Sequence, residues 1–147
     1  MRLWHKYLIP YLPRQQLLGQ WRECCCIAKS IHDRGTPKHM LVNKIMDYPL
    51  SDFTTYGSLV ASEMYKRGYN VDEYKFDQYF MSEDYDFNND TVIFKDWHTN
   101  RYLVQCFHNL EEKYDCGCIS LSDFKKIQMG VFNVLTGKDW NEYSAGI

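Results

Sequence analysis

Residues Pro13 to Gly35 read PRQQLLGQWRECCCIAKSIHDRG, and this is the most informative stretch of the chain. At about 100° per residue it divides into two faces. It therefore predicts a helix over residues 14–34 that ends at Gly35. The apolar face carries Leu17, Leu18, Trp21, Cys24, Cys25, Ala28 and Ile31. The polar face carries Gln15, Gln16, Gly19, Arg22, Glu23 and Cys26.

Gly19 lies in the middle of that polar face, where a helix-forming residue would be more favourable by about 1 kcal/mol. A glycine there leaves room for another molecule to approach the backbone, and amides, an arginine and a carboxylate surround it. Two interpretations stay open. One is a functional site around Glu23, and the other is a solvated helix face on which Arg22 and Glu23 form an ion pair.

The rest of the chain also predicts helices, which makes the fold class all-α. Further helices are expected over about 37–46, 52–67, 97–114 and 120–135, with a short one near 73–81. Ser51 or Asp52 is expected to cap the helix over 52–67. Residues 1–12 are expected to be extended because they lack a helical period and contain a proline.

The length predicts a single domain over residues 1–147, since 147 residues are enough for one hydrophobic core. We expect a compact helical bundle whose extended N-terminal segment packs against the first long helix. The sequence contains no apolar run of about 18 residues and no secretory signal pattern at its start. We therefore expect a cytoplasmic protein with no membrane partner, and its oligomeric state stays open.

The cysteines are interpreted as reduced thiols. The chain has six of them, three consecutive at Cys24 to Cys26. The alternative is a zinc site formed by Cys116 and Cys118 together with Cys106 and His108, which lie nearby in sequence. The spacing of these residues is not typical of a tetrahedral zinc site. We therefore expect no metal and no other cofactor.

Charge is distributed unevenly along the chain. The formal net charge is -2, but residues 1–46 hold eight Lys/Arg against two acids, a net +6, and residues 47–147 have a net -8. A basic N-terminal part suits phosphates, whether of DNA or of a nucleotide. The alternative is that folding mixes the two kinds of charge again.

Acidic and aromatic residues are concentrated in residues 72–90, which include a predicted turn at Asn88 to Asp90. This segment is either an insert that binds a partner or a surface loop held by its aromatic rings. The second interpretation is slightly favoured.

Several motifs resemble a known family. Residues 1–5, MRLWH, and 12–23, LPRQQLLGQWRE, resemble the pyrimidine-dimer DNA glycosylase family, of the endonuclease V type. Similarity to a bacterial and phage branch of that family continues through Thr36-Pro37, LVNK at 41–44, Asp47-Tyr48-Pro49, Trp97-His98, NRYL at 100–103 and EKYDCG at 112–117.

The resemblance implies a DNA glycosylase with abasic-site lyase activity, acting on damaged or abasic double-stranded DNA. In that family the N-terminal α-amine attacks the sugar carbon C1′, and a helix glutamate assists the imine chemistry. An α-amine has a pKa of about 7.7–8.0, so part of it is neutral and nucleophilic near pH 7.

Matched position by position, the resemblance implies that Met1 supplies the amine and that Glu23 is the catalytic glutamate. Arg22 matches a phosphate-binding arginine and Gln15 a DNA contact at the helix start. The wider set of expected DNA- or ligand-binding residues is Arg2, His5, Lys6, Arg14, Gln15, Gln16, Arg22 and Arg101. Three positions depart from the family pattern: Arg2 follows Met1 where a small residue is usual, Gln16 replaces a histidine, and Cys26 replaces an arginine.

A second function from a different class stays open. The same scaffold would serve as a non-catalytic binder of a phosphate-bearing small ligand, a nucleotide or nucleotide-derived signal, for example as a phage anti-defence sponge. Trp4 or Trp21 would then be available for base stacking. A third interpretation is a protein-interaction domain that uses the acidic aromatic segment.

Several single residues also allow two interpretations. His5 and His98 are expected to be structural, hydrogen-bonded histidines rather than acid/base groups. Trp4 and Trp21 are expected in the core. Arg101 shares a helix side with Gln105 and His108, and this side faces either the functional cleft or solvent.

Overall fold

The structure, a computed structural model, describes residues 1–72, 74–79 and 92–138. Within those residues every regular element is a helix, which confirms the all-α fold class. Contacts group the chain into two units. Unit 1 comprises Met1–Leu3 and Arg14–Lys95, and unit 2 comprises Trp4–Pro13 and Asp96–Ile147. The single domain over 1–147 stays a prediction.

The described helices of unit 1 begin with the predicted long one. They are α1 (Arg14–Arg34), α2 (Met40–Asn43), a 3₁₀ helix (Lys44–Asp47), α3 (Leu50–Lys66) and α4 (Tyr74–Asp77). The bounds of α1 agree with the predicted 14–34, and Gly35 follows it with a φ of 80°. Such a left-handed backbone at a helix end favours glycine.

The core of unit 1 forms where α1 packs against α3 and α4. Five residues of the predicted apolar face are buried, namely Leu17, Trp21, Cys24, Ala28 and Ile31. The Phe76 ring of α4 lies 5.7 Å from the ring of Trp21 and 5.6 Å from that of Phe53, measured between centroids. Aromatic burial of this kind fixes α4 on the two long helices.

The contact between α3 and α4 leaves no room for a side chain at Gly57. A Cβ atom built there lies 2.5 Å from Cζ of Phe76, whereas one built at Gly19 of α1 meets nothing within 4 Å. We therefore expect Gly57→Ala to lower the free energy of unfolding by about 2 kcal/mol through overpacking. Gly19→Ala is the matched control and should raise it by about 0.5–1 kcal/mol. Urea unfolding measures both, and equal effects would contradict the packing described.

Two predicted helix starts in unit 1 were wrong. The helix expected over 37–46 is divided into α2 and the 3₁₀ helix, and α2 begins late because the His39 side chain accepts the backbone N–H of Leu41 at 3.3 Å. Helix α3 begins at Leu50 after Pro49, without a side-chain cap. The expected cap Asp52 instead accepts the backbone N–H of Phe94 at 3.1 Å.

Phe94, the partner of Asp52 in this hydrogen bond, is buried and has an unusual backbone conformation. Its φ is 50°, a left-handed conformation that disfavours a bulky side chain. Its ring is fully buried and lies against Tyr48 and Tyr56. Aromatic packing and the Asp52 hydrogen bond together hold the strained backbone in place.

The described helices of unit 2 are a 3₁₀ helix (Lys6–Tyr11), α5 (Asn100–Asp115) and α6 (Leu121–Thr136). The expectation of an extended chain over 1–12 was therefore wrong for residues 6–11. Nδ1 of His5 accepts the backbone N–H of Tyr7 at 3.1 Å, which caps the 3₁₀ turn. A short 3₁₀ helix tolerates the internal Pro10 because few of its hydrogen bonds depend on one amide.

Helix α6 packs against both α5 and the 3₁₀ helix of unit 2. Its predicted limits are confirmed within one residue, because the Ser120 hydroxyl accepts the N–H of Asp123 and Gly137 follows with a φ of 67°. Helix α5 begins at Asn100, three residues later than expected, because Thr99 caps it by accepting the N–H of Tyr102.

The acidic aromatic segment is described only in part. Helix α4 confirms a short helix inside the predicted 73–81, at Tyr74–Asp77. The turn predicted at Asn88 to Asp90 and most of the segment lie outside the described residues.

Candidate functional site

A buried glutamine organises the start of α1 in unit 1. Gln20 is 1% exposed, and its amide makes three hydrogen bonds. Nε2 donates to the carbonyl oxygen of Arg2 at 3.1 Å and to Oε2 of Glu23 at 3.4 Å. Oε1 accepts the hydroxyl of Tyr56, on α3, at 2.9 Å. One amide thus joins the start of the chain, the predicted catalytic carboxylate and a second helix.

The first residues of the chain consequently lie beside Glu23. The Arg2 carbonyl and the Glu23 carboxylate are separated by no more than the sum of two hydrogen bonds, 3.1 and 3.4 Å, because both bind the same nitrogen. Met1 is 47% exposed and Glu23 is half-buried. The start of the chain and the Glu23 carboxylate therefore lie close together, and both are partly accessible to solvent.

The remaining polar side chains of α1 face solvent to different extents. Arg14, Gln15 and Arg22 are exposed, and Gln16 is half-buried. The Arg14 guanidinium lies 5.3 Å from the centroid of the Tyr69 ring, a cation–π contact. Within the described ranges no ion pair joins Arg22 to Glu23. Glu23 instead accepts a hydrogen bond from the buried Gln20 amide.

Open space adjoins α1 at Gly19. A Cβ atom placed on this residue would meet no other atom within 4 Å. The glycine is thus not required by packing inside the protein. This leaves room for an outside molecule to approach the helix backbone at Gly19.

The structure places three other predicted site residues in unit 2. His5 and Lys6 are buried, at 1% and 7% exposure, while Arg101 is exposed on α5. The backbone N–H of Lys6 donates to Nδ1 of His98 at 3.0 Å, and the His5 and His98 rings stack with centroids 5.1 Å apart. These contacts agree with structural roles for both histidines, and the site proposed below does not include them.

Both histidines are held in the neutral form. Burial is the main cause in each case, and it lowers the pKa of His5 to about 4 and that of His98 to about 2. The neighbouring positive charge of Lys6 lowers both further, while backbone hydrogen bonds partly oppose the shift at His5. Since Nδ1 of His98 accepts a hydrogen bond, the proton of the neutral ring is assigned to Nε2.

The lowered pKa values predict a loss of stability in mild acid. The unfolded histidines bind protons below about pH 6.5 whereas the folded ones do not, so stability is complete above that pH and falls below it. Each histidine should remove about 1.4 kcal/mol per pH unit until the pH reaches its folded pKa. Urea unfolding at pH 7.5 and 5.0 measures this loss.

Removing one of the two buried histidines supplies the comparison for that measurement. His98→Phe should reduce the slope. Equal free energies of unfolding at pH 7.5 and 5.0 in the unsubstituted protein would contradict the buried, neutral pair.

The Cys24 and Cys25 thiols of α1 are poor nucleophiles. Burial raises the pKa of Cys24 well above its usual value and raises that of Cys25 to about 11. In the described part of the chain, no group of His, Cys, Asp and Glu residues could hold a metal ion. No helix there is long and apolar enough to span a bilayer.

A family model described as pyrimidine dimer DNA glycosylase matches residues 1–77. The chain belongs to this family. The matched range contains the chain start, all of α1 and Tyr56. No curated protein and no solved structure matches the chain. Membership of a DNA glycosylase family supports DNA repair as the general function and DNA as the general class of substrate.

Sequence reasoning missed two residues of this candidate site, Gln20 and Tyr56. A signal for Gln20 was present, since it falls in the stripe of buried positions Leu17, Cys24 and Ile31 at spacings of three, four and seven. A polar residue in such a stripe requires an internal partner. The sequence held no signal for which tyrosine would supply it.

Proposed function

We propose that this member of the glycosylase family is a DNA glycosylase and abasic-site lyase that uses the Met1 amine as nucleophile and Glu23 as acid/base. The observation that carries the proposal is the shared Gln20 amide, which binds both the Arg2 carbonyl and the Glu23 carboxylate. A nucleophile and its acid/base group must lie within reach of one reacting atom. The two hydrogen bonds of Gln20 support the proposal, because they hold the start of the chain next to Glu23 in unit 1.

The first step is displacement of the damaged base. The neutral Met1 amine forms a bond to C1′ of the sugar while the glycosidic C1′–N bond breaks, and the base leaves with the electron pair and takes up a proton. The new C1′–N bond then becomes an imine as the ring C1′–O4′ bond opens and O4′ is protonated. An abasic site enters the same sequence through its aldehyde, with loss of water.

Strand cleavage follows by β-elimination. A base removes a proton from C2′, the electron pair forms a C–C double bond, and the 3′ phosphate leaves with the C3′–O electrons. Water then releases the enzyme from the imine. Glu23 is the group that exchanges these protons, and its negative charge stabilises the cationic imine.

The exposed side of α1 supplies the proposed DNA contacts. Arg14, Gln15 and Arg22 present donors to phosphate oxygens, and the open space beside Gly19 admits the strand. The net +6 of residues 1–46 favours this part of the chain for an anionic ligand. Gln16 and the exposed Cys26 replace charged family residues, so the proposal covers damaged or abasic duplex DNA without specifying a lesion.

Borohydride trapping tests the proposal. The purified protein, with its N-terminus verified by intact mass, is incubated with an abasic duplex and sodium borohydride, which reduces an imine to a stable covalent complex. A trapped complex attached through the Met1 nitrogen is expected. If an active control lyase is trapped in the same experiment and this protein is not, the proposed chemistry is wrong.

A binding measurement on the same purified protein distinguishes the glycosylase from the alternative function. Calorimetry with a mononucleotide and with an abasic duplex compares the two ligand classes directly. Binding of the duplex supports the glycosylase. Tight binding of the mononucleotide alone would favour the non-catalytic binder of a phosphate-bearing ligand.

A further inference from the structure

We infer that Tyr56 of α3 is a positioning residue for catalysis, and that it acts through Gln20 to set the chain start against Glu23. This inference rests on the proposed function and adds two residues to it. Tyr56 is fully buried, so it does not contact DNA itself. Its link to the site is the hydrogen bond from its hydroxyl to Oε1 of Gln20, 2.9 Å long.

The hydrogen-bonding capacities of the partners determine the orientation of the Gln20 amide. The Arg2 carbonyl oxygen and an ionised Glu23 carboxylate only accept hydrogen bonds, so the NH₂ group of Gln20 must face them. The amide oxygen consequently faces Tyr56, whose hydroxyl donates to it. A rotated amide would place an oxygen against two other acceptors.

Burial makes this arrangement depend on the tyrosine hydroxyl. Gln20 is 1% exposed, so water does not readily replace a lost donor at Oε1. Tyr56 is held in turn by its packing, with the Phe94 ring 6.0 Å from its own. The position of the chain start is therefore fixed from α3, through a residue pair 36 positions apart.

Positioning of this kind affects the chemical step more than binding. The Met1 amine must approach C1′ closely, and a displacement of about 1 Å lowers reaction rates by as much as about 100-fold. The DNA contacts proposed for Arg14, Gln15 and Arg22 do not involve the Gln20 amide. Loss of the Tyr56 hydroxyl should therefore reduce the rate of imine formation and leave DNA affinity nearly unchanged.

Three variants of the full chain test the inference in single-turnover borohydride trapping on an abasic duplex. We expect Tyr56→Phe to slow trapping about 10-fold and Gln20→Met about 100-fold, with the dissociation constant for DNA within about twofold of the unsubstituted value. The double variant should be no slower than Gln20→Met, since Tyr56 acts through Gln20. Tyr65→Phe removes a hydroxyl from the same helix and is the matched control.

The outcomes separate this inference from the proposed function. No trapping by the unsubstituted protein would end both. If the unsubstituted protein and Tyr56→Phe are trapped at the same rate, the positioning role is wrong and the proposed function stands. Losses that multiply in the double variant, or a change confined to DNA affinity, would overturn the positioning role too. Circular dichroism verifies folding, and if Tyr56→Phe does not fold, an unchanged rate in Gln20→Met overturns the inference.

Discussion

Replacing Glu23 by glutamine is expected to slow cleavage of an abasic strand by about 10²- to 10⁴-fold, the range lost with a general acid/base group. Glutamine keeps the size of the side chain and can still accept the hydrogen bond from Gln20. It cannot exchange protons with the imine or stabilise its positive charge. Strand cleavage on a denaturing gel under single-turnover conditions measures the effect.

The matched control is Glu112→Gln, which neutralises an exposed carboxylate on α5 of unit 2. It should leave cleavage unchanged, because Glu112 is not part of the proposed site. Should Glu23→Gln cleave at the rate of Glu112→Gln, the carboxylate is not the acid/base group. Binding of the abasic duplex by Glu23→Gln should persist or increase, since the substitution removes a negative charge beside DNA.

Adding one residue ahead of Met1 is expected to reduce borohydride trapping about 100-fold. The addition keeps a primary amine but moves it along the chain by up to about 3.6 Å, the length of an extended residue. Gln20 still holds the Arg2 carbonyl, so the new amine lies away from the position that the proposed mechanism assigns to the Met1 amine. A misplaced nucleophile loses most of the advantage of being held in position.

A cleavable N-terminal tag that leaves a single glycine gives this variant, and a C-terminal tag on the unextended chain is its control. Intact mass identifies the first residue of each preparation. Equal trapping by the two would contradict the proposal that the position of the Met1 amine beside Glu23 is required for the reaction.

The first long helix was largely predictable because its determinants are local. The apolar spacing of Leu17, Trp21 and Cys24 and the stop at Gly35 act within one turn or two, and the bounds of α1 agree with them. The same applies to α6, where Ser120 and Gly137 mark the ends. Prediction was wrong where a tertiary partner took a local residue, as when Phe94 engaged the expected cap Asp52.

The sequence predicted Met1 and Glu23 as residues of the candidate site, but it did not predict the residues that connect them. The resemblance at the chain start and along α1 named Met1 and Glu23, and the open space beside Gly19 agrees with the room expected there. The burial of Lys6 was not expected from its position in a basic segment. A charge count along the sequence does not show which side chains the fold covers.

The all-α class, the amphipathic first helix and the family could be predicted from the residues alone, because helical period and family motifs are carried by neighbours in the chain. The burial of Gln20 and its hydrogen bonds to Arg2, Glu23 and Tyr56 become visible in the folded protein and not before. That junction joins three separate parts of the chain. Its members have no common local pattern, and the need to satisfy a buried amide brings them together.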